Sequence, residues 1–221
     1  MKAPPADRLV LDVKNAFAPF CEGGLYEEEL EQSFERLQKI QSRLEKQRAE
    51  GRLPFWNLPY QDAMREECER LAAETRGKFD TLVVLGIGGS ALGTKAVLAA
   101  VRPEALSGAG APRVFVADNV DPTRFTAILA ACDPARTAFN VISKSGETAE
   151  TAALMLAAEA WLRKAKQSPA EHLIVTTDAT SGSLRRYVER KDLHNLWVPE
   201  GVGGRFSVLT PVGLFPCAFA G

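Results

Sequence analysis

The run "TLVVLGIGG", residues 81–89, constrains the fold more than any other stretch of the chain. It is short, apolar, rich in β-branched residues, and ends in glycines. A strand with no polar face is buried on both sides, as in parallel sheets covered by helices. The helical pattern "ALGTKAVLAAV" follows at once. The alternation then repeats: "RVFVAD" and "TRFTAILAAC", "FNVIS" and "ETAALMLAAEAWLRKA", "HLIVTT" and "SLRRYVERK", and finally "HNLWVP". Strands alternating with helices imply right-handed crossovers and one parallel sheet. The expected fold is a doubly wound α/β, three-layer sandwich with about five parallel strands. Ligands in such sheets bind beyond the carboxyl ends of the strands.

The first part of the chain has a different grammar. In residues 26–51, Leu30, Phe34, Leu37, Ile40 or Gln41, and Leu44 recur at spacings of three and four. That is one apolar stripe on a charged helix. Acidic residues crowd its start and basic residues its end, as the helix dipole favours. Gly51 supplies the stop. The stripe lasts too few heptads for a coiled coil, so a solvated helix docked on a core is expected. "LPFWNLPY" reads as a Pro-bounded connector with exposed aromatics, and a second helix is expected over residues 61–76. The expected organisation is an N-terminal helical segment over 1–78 and an α/β domain over 79–221.

Charge narrows the partners. The 221 residues hold 27 basic and 28 acidic side chains, a net charge of −1. That balance gives no electrostatic reason to expect nucleic acid or an acidic membrane. No apolar run approaches a bilayer span, and "MKAPPADRLV" lacks the apolar core of a signal peptide. Cys21, Cys68, Cys132 and Cys217 show neither CxxC nor Cys–His metal-ligand spacing. They read as reduced packing thiols, and a cytoplasmic protein without a metal is expected.

Three strand ends carry candidate chemistry. The first strand ends in Gly86-Ile87-Gly88-Gly89-Ser90. A glycine-rich turn into a helix lets backbone N–H groups approach an anion. Its spacing differs from GxGxxG, and Asp118 in "VADN" is the acidic residue that a dinucleotide site would use. The plainer alternative is a tight turn that needs glycine for positive φ. The third strand ends in "VISKSGETAET", with hydroxyls at Ser143, Ser145, Thr148 and Thr151 and a cation at Lys144. A helix N-cap at Ser145, completed by Glu147 or Thr148, accounts for one or two of these. A phosphate monoester accounts for all of them, because it takes many donors and favours a helix N-terminus. The fifth strand is followed by "VPEGVGGRFSVLTPVG", where glycines including Gly204 precede Arg205. Arg205 is placed to clamp an anion or steady an oxyanion; the plainer alternative is a surface arginine. His172 and His194 begin strands at the opposite edge and receive no catalytic role.

Together, "LGIGGSALG", "VISKSGETAET" and "VGGRFSVLTPVG" resemble the glucose-6-phosphate isomerase (phosphoglucose isomerase) family, in its order and spacing. Gly146-Glu147 is more similar to the bacterial form. The middle motif also resembles sugar isomerase (SIS) domains that bind phosphosugars. The resemblance implies conversion of glucose 6-phosphate to fructose 6-phosphate without a cofactor. It implies that Ser90, Ser143, Ser145, Thr148 and Thr151 hold the sugar phosphate, with backbone help near Gly88, Gly89 and Lys144. Arg205, following Gly204, would stand beside the cis-enediol intermediate and stabilise its charged oxygen. The family's glutamate base, ring-opening histidine and late lysine are expected beyond residue 221, together with a second sheet domain. The chain is therefore expected to be an N-terminal portion, inactive alone, of a homodimeric enzyme. Two alternatives stay open: a stand-alone SIS module sensing a phosphosugar, and a nucleotide-binding domain built on GIGGS.

Overall fold

The computed structural model describes residues 10–18, 20–107 and 112–221, in two compact units that divide between Arg52 and Leu53. The first unit contains helix α1, Glu27–Ala49. Glu29 accepts the Tyr26 N–H at 2.9 Å, satisfying a donor at the helix start. The helix stops just before Gly51, as the sequence implies. Leu30, Phe34, Leu37, Ile40 and Leu44 are all exposed, so the unit does not bury its stripe and the expected docking on a core is not met within it.

The second unit runs through α2 (Asp62–Arg76), β1 (Thr81–Leu85), α3 (Leu92–Val101) and α4 (Pro103–Ser107). It continues with β2 (Arg113–Ala117), α5 (Pro122–Ala130), β3 (Thr137–Ser143), α6 (Ala149–Lys164) and α7 (Pro169–His172). It closes with β4 (Leu173–Asp178), α8 (Ser183–Lys191), β5 (His194–Val198) and α9 (Pro211–Ala220). The strands form one parallel sheet in the order β2-β1-β3-β4-β5. This is the doubly wound sandwich the alternation implies. The short helices α4 and α7 have no counterpart in the sequence pattern.

Alternation along each strand divides the core in two. Leu82 and Val84 of β1 pack with Leu71, Leu98, Phe215 and Phe219 of α2, α3 and α9. Val83 and Leu85 face the other way, toward Phe125, Leu154, Leu162 and Val188 of α5, α6 and α8. Each such buried side chain contributes about 1.5–3 kcal/mol of transfer free energy. All seven residues of β3 are buried, which fits its place at the centre of the sheet. Phe215 and Phe219 are fully buried, so the apolar run of α9 is core packing rather than an exposed surface.

The amino ends of the strands are structural. His172 Nδ1 lies 2.7 Å from the Thr137 carbonyl oxygen, and its ring packs on Phe79. His194 starts β5. The four cysteines are free, and burial pushes the Cys68 thiol up to about 12. Among the described residues no helix is long and apolar enough to cross a membrane, and no three His, Cys, Asp or Glu side chains cluster as a metal site.

Candidate active site

The strand order reverses between β1 and β3. The crossover from β1 leads outward to β2, whereas β3 and its successors lie on the other side. Such a switch point opens a crevice beyond the carboxyl ends of the two strands. Leu85 and Val141 are register partners there, and Ser143 pairs with Thr177 of β4.

Beyond β1 the chain makes a 3-10 turn, Gly88–Ser90, before entering α3. The Ser90 side chain is half-buried and has no hydrogen-bond partner among the described residues. Gly89 sits against the backbone of Gly204: a Cβ at Gly89 would lie 2.3 Å from the Gly204 carbonyl oxygen. Only glycine permits that approach. The two glycine-rich motifs, 115 residues apart in number, thus meet by bare backbone.

Beyond β3 the hydroxyl-rich turn is internally organised. Ser143 Oγ and Thr148 Oγ1 are 2.9 Å apart. Thr177 Oγ1 donates to the Ser143 carbonyl at 2.7 Å. Ser145 is exposed, and its Oγ accepts the Glu147 N–H at 3.2 Å. The N-cap of α6 is Thr148, and it makes no side-chain cap. This corrects the capping alternative: Ser145 closes a small turn outside the helix, and Thr148 points to Ser143 instead. The first N–H groups of a 16-residue helix therefore have no capping side chain. Thr151 lies beneath the turn, 2% exposed, its Oγ1 without a hydrogen-bond partner among the described residues.

The third motif ties the other two together. Lys144 Nζ donates to the Val202 carbonyl at 2.6 Å. The loop after β5 is thereby pinned to the end of β3 through Val202 and to the end of β1 through Gly204. Sequence reasoning assigned Lys144 to the site and missed Val202. Arg205 lies in the 3-10 turn Gly204–Phe206, exposed, with no ion pair or hydrogen bond among the described residues. Its neighbour Phe206 stacks on Phe55 at 4.4 Å between ring centroids. The connector Pro54–Tyr60, a 3-10 segment, thus supports the arginine loop, while Trp56 and Tyr60 are exposed as expected.

Of the residues singled out in the sequence, Gly88, Gly89, Ser90, Gly204 and Arg205 gather at the β1 end. Ser143, Lys144, Ser145 and Thr148 gather at the neighbouring β3 end, and Thr151 is buried below them. Hydroxyl donors, an uncapped helix N-terminus and an unpaired guanidinium suit an anion. Asp118 at the end of β2 is otherwise engaged, 2.7 Å from Lys95 Nζ and 3.1 Å from Arg124. Burial pushes its carboxyl up, but the two cations outweigh this and hold it below the ordinary range. The acidic contact that a dinucleotide site would need is therefore already occupied.

Known proteins are similar to this chain over most of its length. The family model described as phosphoglucose isomerase matches residues 57–220. The glucose-6-phosphate isomerase of Carboxydothermus hydrogenoformans is 41% identical over 96% of this chain and 48% of its own length. That of Thermus thermophilus is 39% identical over 84% of this chain and 44% of its own length. A crystal structure of a hypothetical protein from Thermus thermophilus superposes with a TM-score of 0.76 at 38% identity, over 87% of this chain and 46% of that one. A glucose-6-phosphate isomerase from Chlamydia trachomatis superposes with a TM-score of 0.58 at 32% identity, over 69% and 28% of the two chains. The chain spans about half the length of the curated relatives it matches. By the family match over most of its length, this chain belongs to the phosphoglucose isomerase family.

Proposed function

We propose that the chain carries the phosphate-binding part of a glucose-6-phosphate isomerase, and that residues 79–221 are its SIS-type domain, preceded by a helical segment over 1–78. One observation supports this most: the loop after β5 is fixed to both strand ends, by Lys144 to Val202 and by Gly89 against Gly204. These contacts bring the loop that carries Arg205, unpaired among the described residues, to the two strand ends at the switch point.

In this reading Ser90, Ser143, Ser145 and Thr148 donate to the phosphate, with Thr151 supporting the turn from below. The backbone at Gly88, Gly89 and Lys144 adds N–H groups, and the α6 dipole adds field. Arg205 faces the reacting carbons, where proton transfer between C1 and C2 passes through a cis-enediol. Its charge stabilises the enediolate oxygen more than it stabilises the ground state, which is the condition for accelerating the step. No base is assigned among these residues, and no cofactor is invoked. Glucose 6-phosphate and fructose 6-phosphate are the partners, in a homodimeric cytoplasmic enzyme of glycolysis and gluconeogenesis. A regulator that only senses phosphosugar would leave Arg205 without a task.

Calorimetric titration separates the alternatives. The 221 residues are expected to bind glucose 6-phosphate, to ignore NAD, and to show no turnover in a coupled isomerase assay. Binding of NAD in place of the sugar phosphate would overturn the site. Turnover at rates typical of the family would overturn the reading that these residues hold no base.

A further inference from the structure

The hydroxyl-rich turn contains a carboxylate that an anion site should not welcome. Glu147 lies between Ser145 and Thr148, and like charges repel. Its side chain does not face the anion donors. Glu147 Oε1 accepts the backbone N–H of Ser183, the first residue of α8, at 2.7 Å. That helix has Gly182 as its N-cap and so no side-chain cap of its own. Glu147 supplies the missing acceptor from 36 residues away.

The contact is part of a wider seam. Ser183 Oγ donates to the Gly146 carbonyl at 2.7 Å, and Leu184 N donates to the same oxygen at 3.3 Å. At Gly182 the backbone is in the left-handed region, and a Cβ there would lie 2.5 Å from the Ser145 carbonyl oxygen. Residues 146 and 147 are thus hydrogen-bonded to the start of α8, and the Ser145 carbonyl lies close against Gly182. Ser145 is an exposed hydroxyl of the turn, and the Glu147 N–H is the one hydrogen-bond partner of its side chain among the described residues.

From this geometry we infer that Glu147 is a positioning residue: it latches the anion-binding turn onto the N-terminus of α8 and turns its own charge toward that helix's positive end. The inference rests on the phosphate reading of the site. Two effects follow from one contact. The turn keeps Ser145 and the Thr148 N-cap in place, and the helix dipole absorbs a negative charge that would otherwise oppose the ligand. Glu147 is neither base nor ligand in this account.

Two variants isolate the latch, since both remove the charge and only one keeps the acceptor. Glu147→Gln retains an oxygen for the Ser183 N–H, whereas Glu147→Ala does not. Titrated calorimetrically with glucose 6-phosphate, Glu147→Gln is expected to bind within about threefold of the parent chain, and Glu147→Ala about tenfold more weakly. Both should keep melting temperatures within a few degrees of the parent, because neither change empties the packed core. Equal affinities for the two variants would overturn the latch, and loss of binding in Glu147→Gln would give the carboxylate a direct role. If the parent chain does not bind glucose 6-phosphate, the phosphate reading fails, and amide hydrogen exchange then decides the latch by itself. Exchange at residues 145–148 should be faster in Glu147→Ala than in Glu147→Gln; equal exchange would overturn it.

Discussion

Arg205→Ala is expected to lower kcat by about a hundredfold to a thousandfold, with KM changing by less than about threefold, in a protein joining this segment to the second half found in its relatives. The magnitude follows from what Arg205 does not do. It is exposed and forms no ion pair or hydrogen bond among the described residues, so its removal leaves no buried group unsatisfied. Its loop is held from elsewhere, by Lys144 on the Val202 carbonyl, by Gly89 against Gly204 and by Phe55 on Phe206. The fold should survive the substitution and the phosphate should still be held. In the proposed mechanism, what disappears is charge directed at an oxygen that becomes negative only during the reaction. Arg205→Lys should recover part of the rate, because it keeps the charge but loses the planar fork of donors. A rise in KM with unchanged kcat would reassign Arg205 to the phosphate.

Replacing Ser145 and Thr148 together with alanine is expected to weaken glucose 6-phosphate binding by at least about a hundredfold. Hydrogen bonds to charged groups contribute roughly 1.5–3 kcal/mol each, and about 1.4 kcal/mol is a factor of ten. The melting temperature should fall by only a few degrees. Neither side chain caps α6: Thr148 pairs with Ser143 Oγ, and Ser145 accepts one N–H from Glu147. Circular dichroism would check the fold and calorimetry the affinity. A chain that unfolds yet binds normally per folded molecule would restore the hydroxyls to a purely structural role.

The sheet was legible because its three central strands are buried on both faces, and burial of that kind leaves apolar runs such as 82–85 and 173–175. The strand order, and with it the switch point, was not legible, because right-handed crossovers permit more than one order of five parallel strands. The candidate residues were legible because glycine turns and clustered hydroxyls are local patterns. The ties between them were not. Lys144 reads as a cation for the ligand, yet its ammonium is spent on a carbonyl 58 residues later. Glu147 reads as part of a cap for its own helix, yet it serves a helix 36 residues on. Such partners are chosen by tertiary approach, and no spacing rule reports them. The same holds for Asp118, which reads as available for a ribose although Lys95 and Arg124 stand beside it in the fold. The stripe of α1 is the reverse case: a clear local pattern for burial whose residues are exposed.

In the proposed function, three separated motifs form one sugar-phosphate site. Backbone amide chemical shifts during a glucose 6-phosphate titration test it most directly. Amides of Gly88–Ser90, of residues 143–148 and of residues 203–205 should move together and saturate at one dissociation constant, while unphosphorylated glucose leaves them in place. Movement of a single motif, motifs saturating at different concentrations, or an equal response to glucose would contradict it.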